Sequence, residues 1–317
     1  MKLTKYIENA KETLFSFEIL PPLKGGSIQG LFSRIEPLME FKPTFIDVTY
    51  HREEFVLRQR PDGLYDKVSL RKRPGTVAIC AAIMNKFKVE AVPHIICGGF
   101  TRDETENALI DLHFLGIDNV LALRGDNQHG ERNFVPEKNG NKNALELIRQ
   151  MDDMNNGIYL DEELKNPNPT SFCIGAAAYP EKHIDAMNRE SDLNFLKQKV
   201  DAGAEFATTQ MFFDNQRYFD FVDKCREKGI LVPIIPGIKP ITKRNQLYSL
   251  PKIFNIDIPN DLATEMEKTK TDEAAYQVGV EWCVQQCKEL KQRGVPVLHF
   301  YTMGYSNATH AVLSKVL

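Results

Sequence analysis

The groups of this chain able to do chemistry recur at one kind of place, the C-terminal end of a short apolar run. In "LFSFEILPP", residues 14–22, Glu18 and Ser16 alternate with Phe17 and Ile19, so a strand points the acid to one face and the apolar groups to the other. An acid turned toward the inside of a closed sheet needs a partner or a task. The same inspection collects Thr49, His51, His94, Arg124, Asp126, Tyr179, His183, Gln210 and Tyr301. Glu18 and Asp126 are the acids of this set, and carboxyl groups suit proton transfer. Gln210 carries an amide donor and acceptor, which suits a heterocycle with paired donors and acceptors. Gly125, between Arg124 and Asp126, lets a ligand approach the backbone closely. Plainer readings stand beside these: His94 as a hydrogen-bonded core residue, Arg124 with Asp126 as an ion pair closing a turn, Thr49 as a strand former and Tyr179 as core.

Other chemistries lack their residues. The histidines are dispersed, with no H-x-x-x-H or paired carboxylates at ligand spacing, so no metal site is expected. There is no G-x-S-x-G elbow, no Walker sequence and no G-x-G-x-x-G fingerprint. A Schiff-base barrel enzyme needs a lysine at a strand end, and Lys239 is the nearest. The six cysteines are scattered; only Cys283 and Cys287 lie a helical turn apart, and all six are expected to be free thiols. With 40 basic and 43 acidic residues well mixed, the chain shows no electrostatic footprint for nucleic acid or an anionic membrane. "MKLTKYIENAKETL" lacks the apolar core of a signal peptide, and no apolar run approaches the roughly 20 residues that span a bilayer. The expected location is cytoplasmic.

The elements that must hold these side chains are also readable. Eight apolar segments recur, at residues 14–20, 44–50, 89–97, 119–126, 172–180, 205–213, 231–238 and 296–303, with helical stretches between them. Strands alternating with helices imply parallel βαβ units, and eight within 317 residues fit a (β/α)8 TIM barrel, α/β in class, better than an open sheet. "TRDETENALIDLHFLGID" sets Ala108, Leu109, Leu112 and Leu115 on a helix that stops at Gly116. "DLNFLKQKVDAGAEF" repeats the plan with Leu193, Leu196, Val200 and Gly203. "GGSIQGLF", after the first strand, reads as a mobile loop. Residues 1–317 are expected to form a single domain, with a polar insertion at about 127–171 after the fourth strand. In a barrel of this kind the site lies at the C-terminal mouth of the strands, where the residues above collect.

In order along nearly the full chain, "FSFEILPP", "FIDVTY", "VPH", "ALRGD", "AAYPEKH", "DAGAEFATTQMFFD", "IIPGIKP" and "HFYT" resemble the methylenetetrahydrofolate reductase family, in its short bacterial form with the catalytic barrel only. The resemblance implies a flavoprotein that binds FAD non-covalently and takes a hydride from NADH or NADPH. It passes the hydride by a ping-pong mechanism to methylenetetrahydrofolate, giving methyltetrahydrofolate for methionine synthesis. Glu18 matches the family's general acid, Asp126 a carboxylate near pterin and flavin, and Gln210 the amide that recognises the pterin; Gln246 falls on a substrate-contact position. Thr49, His94, Arg124, Gly125, Asp126, Ala144, Tyr179, His183, Asp192 and Lys199 match flavin contacts. Burial beside an anionic Asp126 is expected to raise the pKa of Glu18, so that it can protonate the leaving nitrogen of the folate.

Departures from the family pattern are few. Tyr305 replaces an arginine available to the folate tail, which leaves Lys239, Lys243 and Arg244 as candidate cations. Leu250 stands where some relatives carry a phenylalanine, and Phe195 and Gln198 where some carry asparagine and arginine. Alternatives are a related flavin barrel acting on an imino acid or another pterin carrier, and a flavin- or folate-binding subunit of a larger complex. Folate and a nicotinamide nucleotide are the expected partners, and a homo-oligomer is compatible with the sequence.

Overall fold

The computed structural model describes residues 1–52, 54–70, 73–127 and 133–317. In chain order the strands are β1 (Leu14–Ile19), β2 (Phe45–Val48), β3 (Glu54–Gln59), β4 (Tyr65–Leu70), β5 (Glu90–Ile96), β6 (Asn119–Leu123), β7 (Cys173–Ala178), β8 (Ala204–Met211), β9 (Ile234–Ile238) and β10 (Val297–Tyr301). All but β3 and β4 close into a parallel barrel in the order β1-β10-β9-β8-β7-β6-β5-β2. Each barrel strand falls within one of the eight segments marked by sequence or one residue beyond it. The helices are α1 (Leu3–Asn9), α2 (Ile28–Met39), α3 (Thr76–Phe87), α4 (Arg102–Phe114), α5 (Ala144–Asn155), α6 (Arg189–Asp201), α7 (Asn215–Glu227), α8 (Gln246–Phe254), α9 (Asn260–Lys268), α10 (Asp272–Gln292) and α11 (Asn307–Val316).

Local chemistry sets the helix ends. Thr101 and Glu104 form a capping box that starts α4, and Asn188 with Ser191 does the same for α6. Gly116 and Gly203, both at positive φ, follow those helices. α4 buries Leu109 and Leu112, while Leu115 lies largely in solvent. The stretch read as a mobile loop divides: Ser27 caps α2, which takes its second half. The segment read as an insertion contains α5, whose Leu147, Ile148, Met151 and Met154 are fully buried in the outer core. The extra length therefore lies on either side of a regular barrel helix, and residues 128–132 of it fall outside the described set. All six cysteines are buried and free.

The β3–β4 hairpin was not anticipated. It turns at Pro61, Asp62 and Gly63, where the Asp62 carboxylate accepts the Leu64 N–H. Its strands, EFVLRQ and YDKVSL, are short and mix charged with apolar residues without the apolar run that marks the barrel strands.

Strand alternation divides the core. On β1, Phe15, Phe17 and Ile19 face the helices, and Ser16 and Glu18 face inward. The lower barrel interior is apolar, filled by Phe45, Val92, Leu121, Cys173, Phe206, Ile235 and Val297, and closed below by Leu3 of α1. The Asn119 side chain fixes that plug by accepting the Leu3 N–H. Gly175 is required in this layer: a Cβ there would sit 2.3 Å from the Phe206 ring and 2.9 Å from Leu121 Cδ1. Gly175→Ala is therefore expected to destabilise the fold by about 1–3 kcal/mol. Urea unfolding checks it, and adding Phe206→Leu should recover part of the loss.

Candidate active site

Above the apolar layer the barrel interior turns ionisable. Strand register sets Glu18 beside Asp47 of β2 and Tyr301 of β10, and Ser16 beside His299. The His94 ring of β5 stands between the acids, its Nε2 3.3 Å from Asp47 Oδ2 and 3.7 Å from Glu18 Oε2. His299 Nε2 lies 3.9 Å from the same Asp47 oxygen, and its Nδ1 pairs with Ser16 Oγ at 2.8 Å. Asp47 is 1% exposed, and its Oδ1 has no hydrogen-bond partner among the described residues. The Tyr301 hydroxyl donates to the Thr209 carbonyl at 2.6 Å.

Burial dominates the electrostatics of this layer. Desolvation pushes Glu18 up to about 7; His94 opposes that shift, Asp47 adds to it and Lys239 opposes it. Sequence assigned the anionic neighbour of Glu18 to Asp126, and the structure corrects this to Asp47. Asp126 is exposed, and it acts instead on Tyr179. For His94, burial works against protonation, but the Asp47 hydrogen bond and the charges of Glu18 and Asp47 outweigh it, and the pKa is raised. His299 shifts down through burial, against Asp47 and with His94.

A second group collects at the ends of β6 and β7. Arg124 donates to Asp185 at 2.5 Å and lies over the Phe134 ring at 5.2 Å. Tyr179 meets His183 edge to face at 4.7 Å. The His183 N–H donates to Asp192 of α6 at 2.8 Å. Lys199, buried, donates to the Ala177 carbonyl, and desolvation lowers its pKa to about 8 against the pull of Asp192. Gly125 has φ +86°, the left-handed backbone that glycine adopts without strain. Tyr301 joins the two groups, since Glu18, Asp47 and Tyr179 all act on it.

Other predicted residues stand apart. Thr49 bonds His51 at 3.3 Å just beyond β2. Gln210, near the end of β8, uses its amide oxygen to accept the Met211 N–H. Gln246 opens α8 and accepts the Thr242 N–H at 2.7 Å, while Ala144 is the first residue of α5. Tyr305 is 81% exposed and Lys239 is buried, while Lys243 is exposed and Arg244 donates to the Thr269 carbonyl at 3.2 Å. Sequence reading missed Asp47, His299 and Ser16. The signal was present: Asp47 alternates with outward Ile46 and Val48, and His299 with outward Leu298 and Phe300. Among the described residues no cluster of metal-binding side chains exists, and no helix is long and apolar enough to cross a membrane.

Fold and site define a (β/α)8 barrel protein of the class that handles a small molecule at the C-terminal ends of its strands. The family profile of methylenetetrahydrofolate reductase matches residues 2–316, and the chain belongs to that family. It is 32% identical to the 5,10-methylenetetrahydrofolate reductase of Salmonella typhimurium, over 94% of this chain and 88% of that protein. It is 31% identical to methylenetetrahydrofolate reductase (NADH) 1 of Arabidopsis thaliana, over 100% of this chain and 51% of that one. The chain thus spans about half the length of the plant relative. A solved structure from Clostridium thermocellum, described as an uncharacterized protein that binds two copies of 5-methyl-5,6,7,8-tetrahydrofolic acid, shares the fold. Its TM-score is 0.57 at 13% identity, covering 98% of this chain and 96% of that one.

Two outcomes follow from the inner layer. Asp47→Asn removes both influences of Asp47 that raise the His94 pKa, so the His94 titration followed by NMR should move to lower pH. Glu18 titrates at about 7 in the fold against 4.5 when free, so its contribution is intact below pH 4.5 and is lost as pH climbs through 7. Glu18→Gln should remove roughly 3 kcal/mol of that fall, measured by denaturation between pH 5 and 8.

Proposed function

We propose that this chain reduces methylenetetrahydrofolate to methyltetrahydrofolate, using NADH or NADPH and a non-covalently bound FAD in a ping-pong sequence that feeds methionine synthesis. The observation that carries the proposal is Glu18, an inward-facing acid 14% exposed at the mouth of a barrel of this family.

The residues present fit a flavin nucleotide. Arg124 and Lys199 supply positive charge, Tyr179 and His183 supply ring surfaces, and Gly125 admits a close approach to the backbone. α5 begins at Ala144; Asn143 caps the Glu146 N–H of its first turn, and the Ala144 and Leu145 N–H groups, which a helix leaves without an intrahelical acceptor, are of the kind that receive phosphate. Thr49, His94, Asp126 and Asp192 complete the set. When bound, the flavin supplies the hydride relay between nicotinamide nucleotide and folate.

The chain's own residues handle the proton and the orientation. Gln210 and Gln246 orient the pterin through amide hydrogen bonds, and Asp126 accepts from its ring N–H groups. Methylenetetrahydrofolate accepts hydride once its five-membered ring opens to an iminium, and that opening requires protonation of the leaving nitrogen. Glu18 carries its proton near neutral pH because the barrel interior desolvates it, and it delivers that proton to the nitrogen. His94 and Asp47 stand behind it as the groups able to restore the proton. The absence of a dinucleotide fingerprint fits a nicotinamide nucleotide that uses the same mouth in turn.

Purified protein given FAD should show a flavin spectrum that NADH or NADPH bleaches. In stopped flow, Glu18→Gln should keep that reductive step within about twofold and slow reoxidation by methylenetetrahydrofolate by at least about a hundredfold. Near wild-type reoxidation would remove Glu18 from the role, and a colourless protein that takes up no FAD would remove the flavin.

A further inference from the structure

Glu181 is a buried carboxylate that the chemistry above does not use. It lies in the loop between β7 and α6 and is 8% exposed. Its Oε2 accepts the Asp257 N–H at 2.8 Å, and its Oε1 is buried with no hydrogen-bond partner among the described residues. One residue further on, the Lys182 carbonyl accepts from the Asn255 side chain at 3.1 Å. Asn255 is the C-terminal cap of α8, at φ 53°, and Asp257 follows it in the link to α9. Two hydrogen bonds therefore tie the loop that carries Tyr179 and His183 to the turn that ends α8.

Each side of this tie is independently held. Arg189 of α6 donates to the Glu181 carbonyl at 3.0 Å, and Asp192 holds the His183 N–H. At the far end of α8, Gln246 closes its own turn onto Thr242 and Lys243. The Glu181 carboxyl thus joins two pre-formed pieces, and α8 spans from that joint to the residue assigned to substrate.

We propose that Glu181 is a positioning residue: through Asp257, and alongside the Asn255 bond, it fixes α8 against the β7–α6 loop and so sets the spacing between Gln246 and the pair Tyr179 and His183. The inference rests on the folate and flavin assignments of those residues. The charged groups around the joint do not satisfy Oε1. Asp257 pairs with Arg217 of α7 at 3.7 Å, Arg217 also reaches Asp214 at 4.0 Å, and the Lys182 ammonium donates to the Ala186 carbonyl. Arg189 is engaged with the main chain.

The joint is consequently sensitive to pH. Burial raises Glu181 to about 7; the Asp257 N–H opposes this, the Asp257 charge adds to it, and Arg217 and Arg189 oppose it. Below that pH the carboxyl is neutral, and leaving its Oε1 unpaired costs less than burying a charge there. Above it, a charge is buried with one oxygen unsatisfied, and the joint loosens.

The test uses the holoenzyme with Glu181→Gln, which keeps an acceptor for Asp257 and stays neutral, and with Glu181→Ala, which removes the tie. In the wild type, the KM for methylenetetrahydrofolate should rise as pH passes 7. Glu181→Gln should hold a low KM to pH 9, and Glu181→Ala should raise it by about tenfold at pH 6 as well. Reduction of the flavin by NADH should stay within about twofold in both variants. Amide exchange across α8, corrected for intrinsic rate, should speed up in Glu181→Ala and not in Glu181→Gln at pH 6. A folate KM unchanged in Glu181→Ala, a Glu181→Gln profile that rises like the wild type, or unaltered α8 exchange would overturn the inference. If the wild type turns over no folate, the functional assignment fails on its own, and α8 exchange alone decides the role of Glu181.

Discussion

A closed barrel has one inner face, and period-two alternation forces every second strand residue onto it. In this chain that constraint carries Ser16, Glu18, Asp47, His94 and His299 into a space walled by strands. Burying one unpaired carboxylate or imidazolium there is costly, so the groups must satisfy one another. They do so in part: Asp47 Oδ2 meets His94 at 3.3 Å and Ser16 pairs with His299 Nδ1, while His299 Nε2, 3.9 Å from the same oxygen, and Asp47 Oδ1 have no hydrogen bond among the described residues. Glu18 is left as the member at the rim, with His94 at 3.7 Å as its nearest ionic neighbour among the described residues.

The rest of the architecture serves that layer. Below it, α1 and the apolar ring from Phe45 to Val297 close the barrel against water from the N-terminal end. Around it, the outward residues of the same strands, Phe15, Phe17, Ile46 and Phe300 among them, bind the helices. Desolvation of Glu18 therefore comes from the barrel interior, and the apolar residues flanking it in sequence belong to the helix layer. One pattern in β1 builds both the outer core and the acid's environment.

The barrel was legible because its strands are short apolar runs ended by polar residues, and because Leu109, Leu112, Leu193 and Leu196 mark helix faces at the expected spacing. The positions of Glu18, His94, Arg124, Tyr179 and Gln210 in or next to the barrel strands were legible for the same reason, whereas Ala144, Asp192, Lys199 and Gln246 lie on helices and came only from the family resemblance. What sequence could not supply was lateral register. Whether Glu18 faces Asp47 or Asp126 depends on strand order around the barrel, and only the closed sheet puts β2 beside β1. Asp47 also hid inside "FIDV", where a central acid reads as a solvent-facing position. The Glu181 joint was illegible because its partner, the Asp257 N–H, is main chain and lies 76 residues away.

The two mouth acids carry the same functional group into opposite surroundings. Asp126 is exposed and follows a glycine at positive φ, where water can solvate its charge. Glu18 is enclosed, and its neighbours include both an anion that resists its ionisation and an imidazole that favours it. A group so placed sits near balance at neutral pH, whereas full exposure would have left it ionised and full isolation permanently neutral. The opposing influences of His94 and Asp47 matter for this reason: each alone would move Glu18 away from the range in which a carboxyl can both hold and release a proton. The histidine is itself held by Asp47, so the same aspartate that opposes ionisation of Glu18 also supports the cation that favours it. The proton-holding range of the acid is therefore a property of the layer as a whole, set by where alternation puts three side chains from adjacent strands.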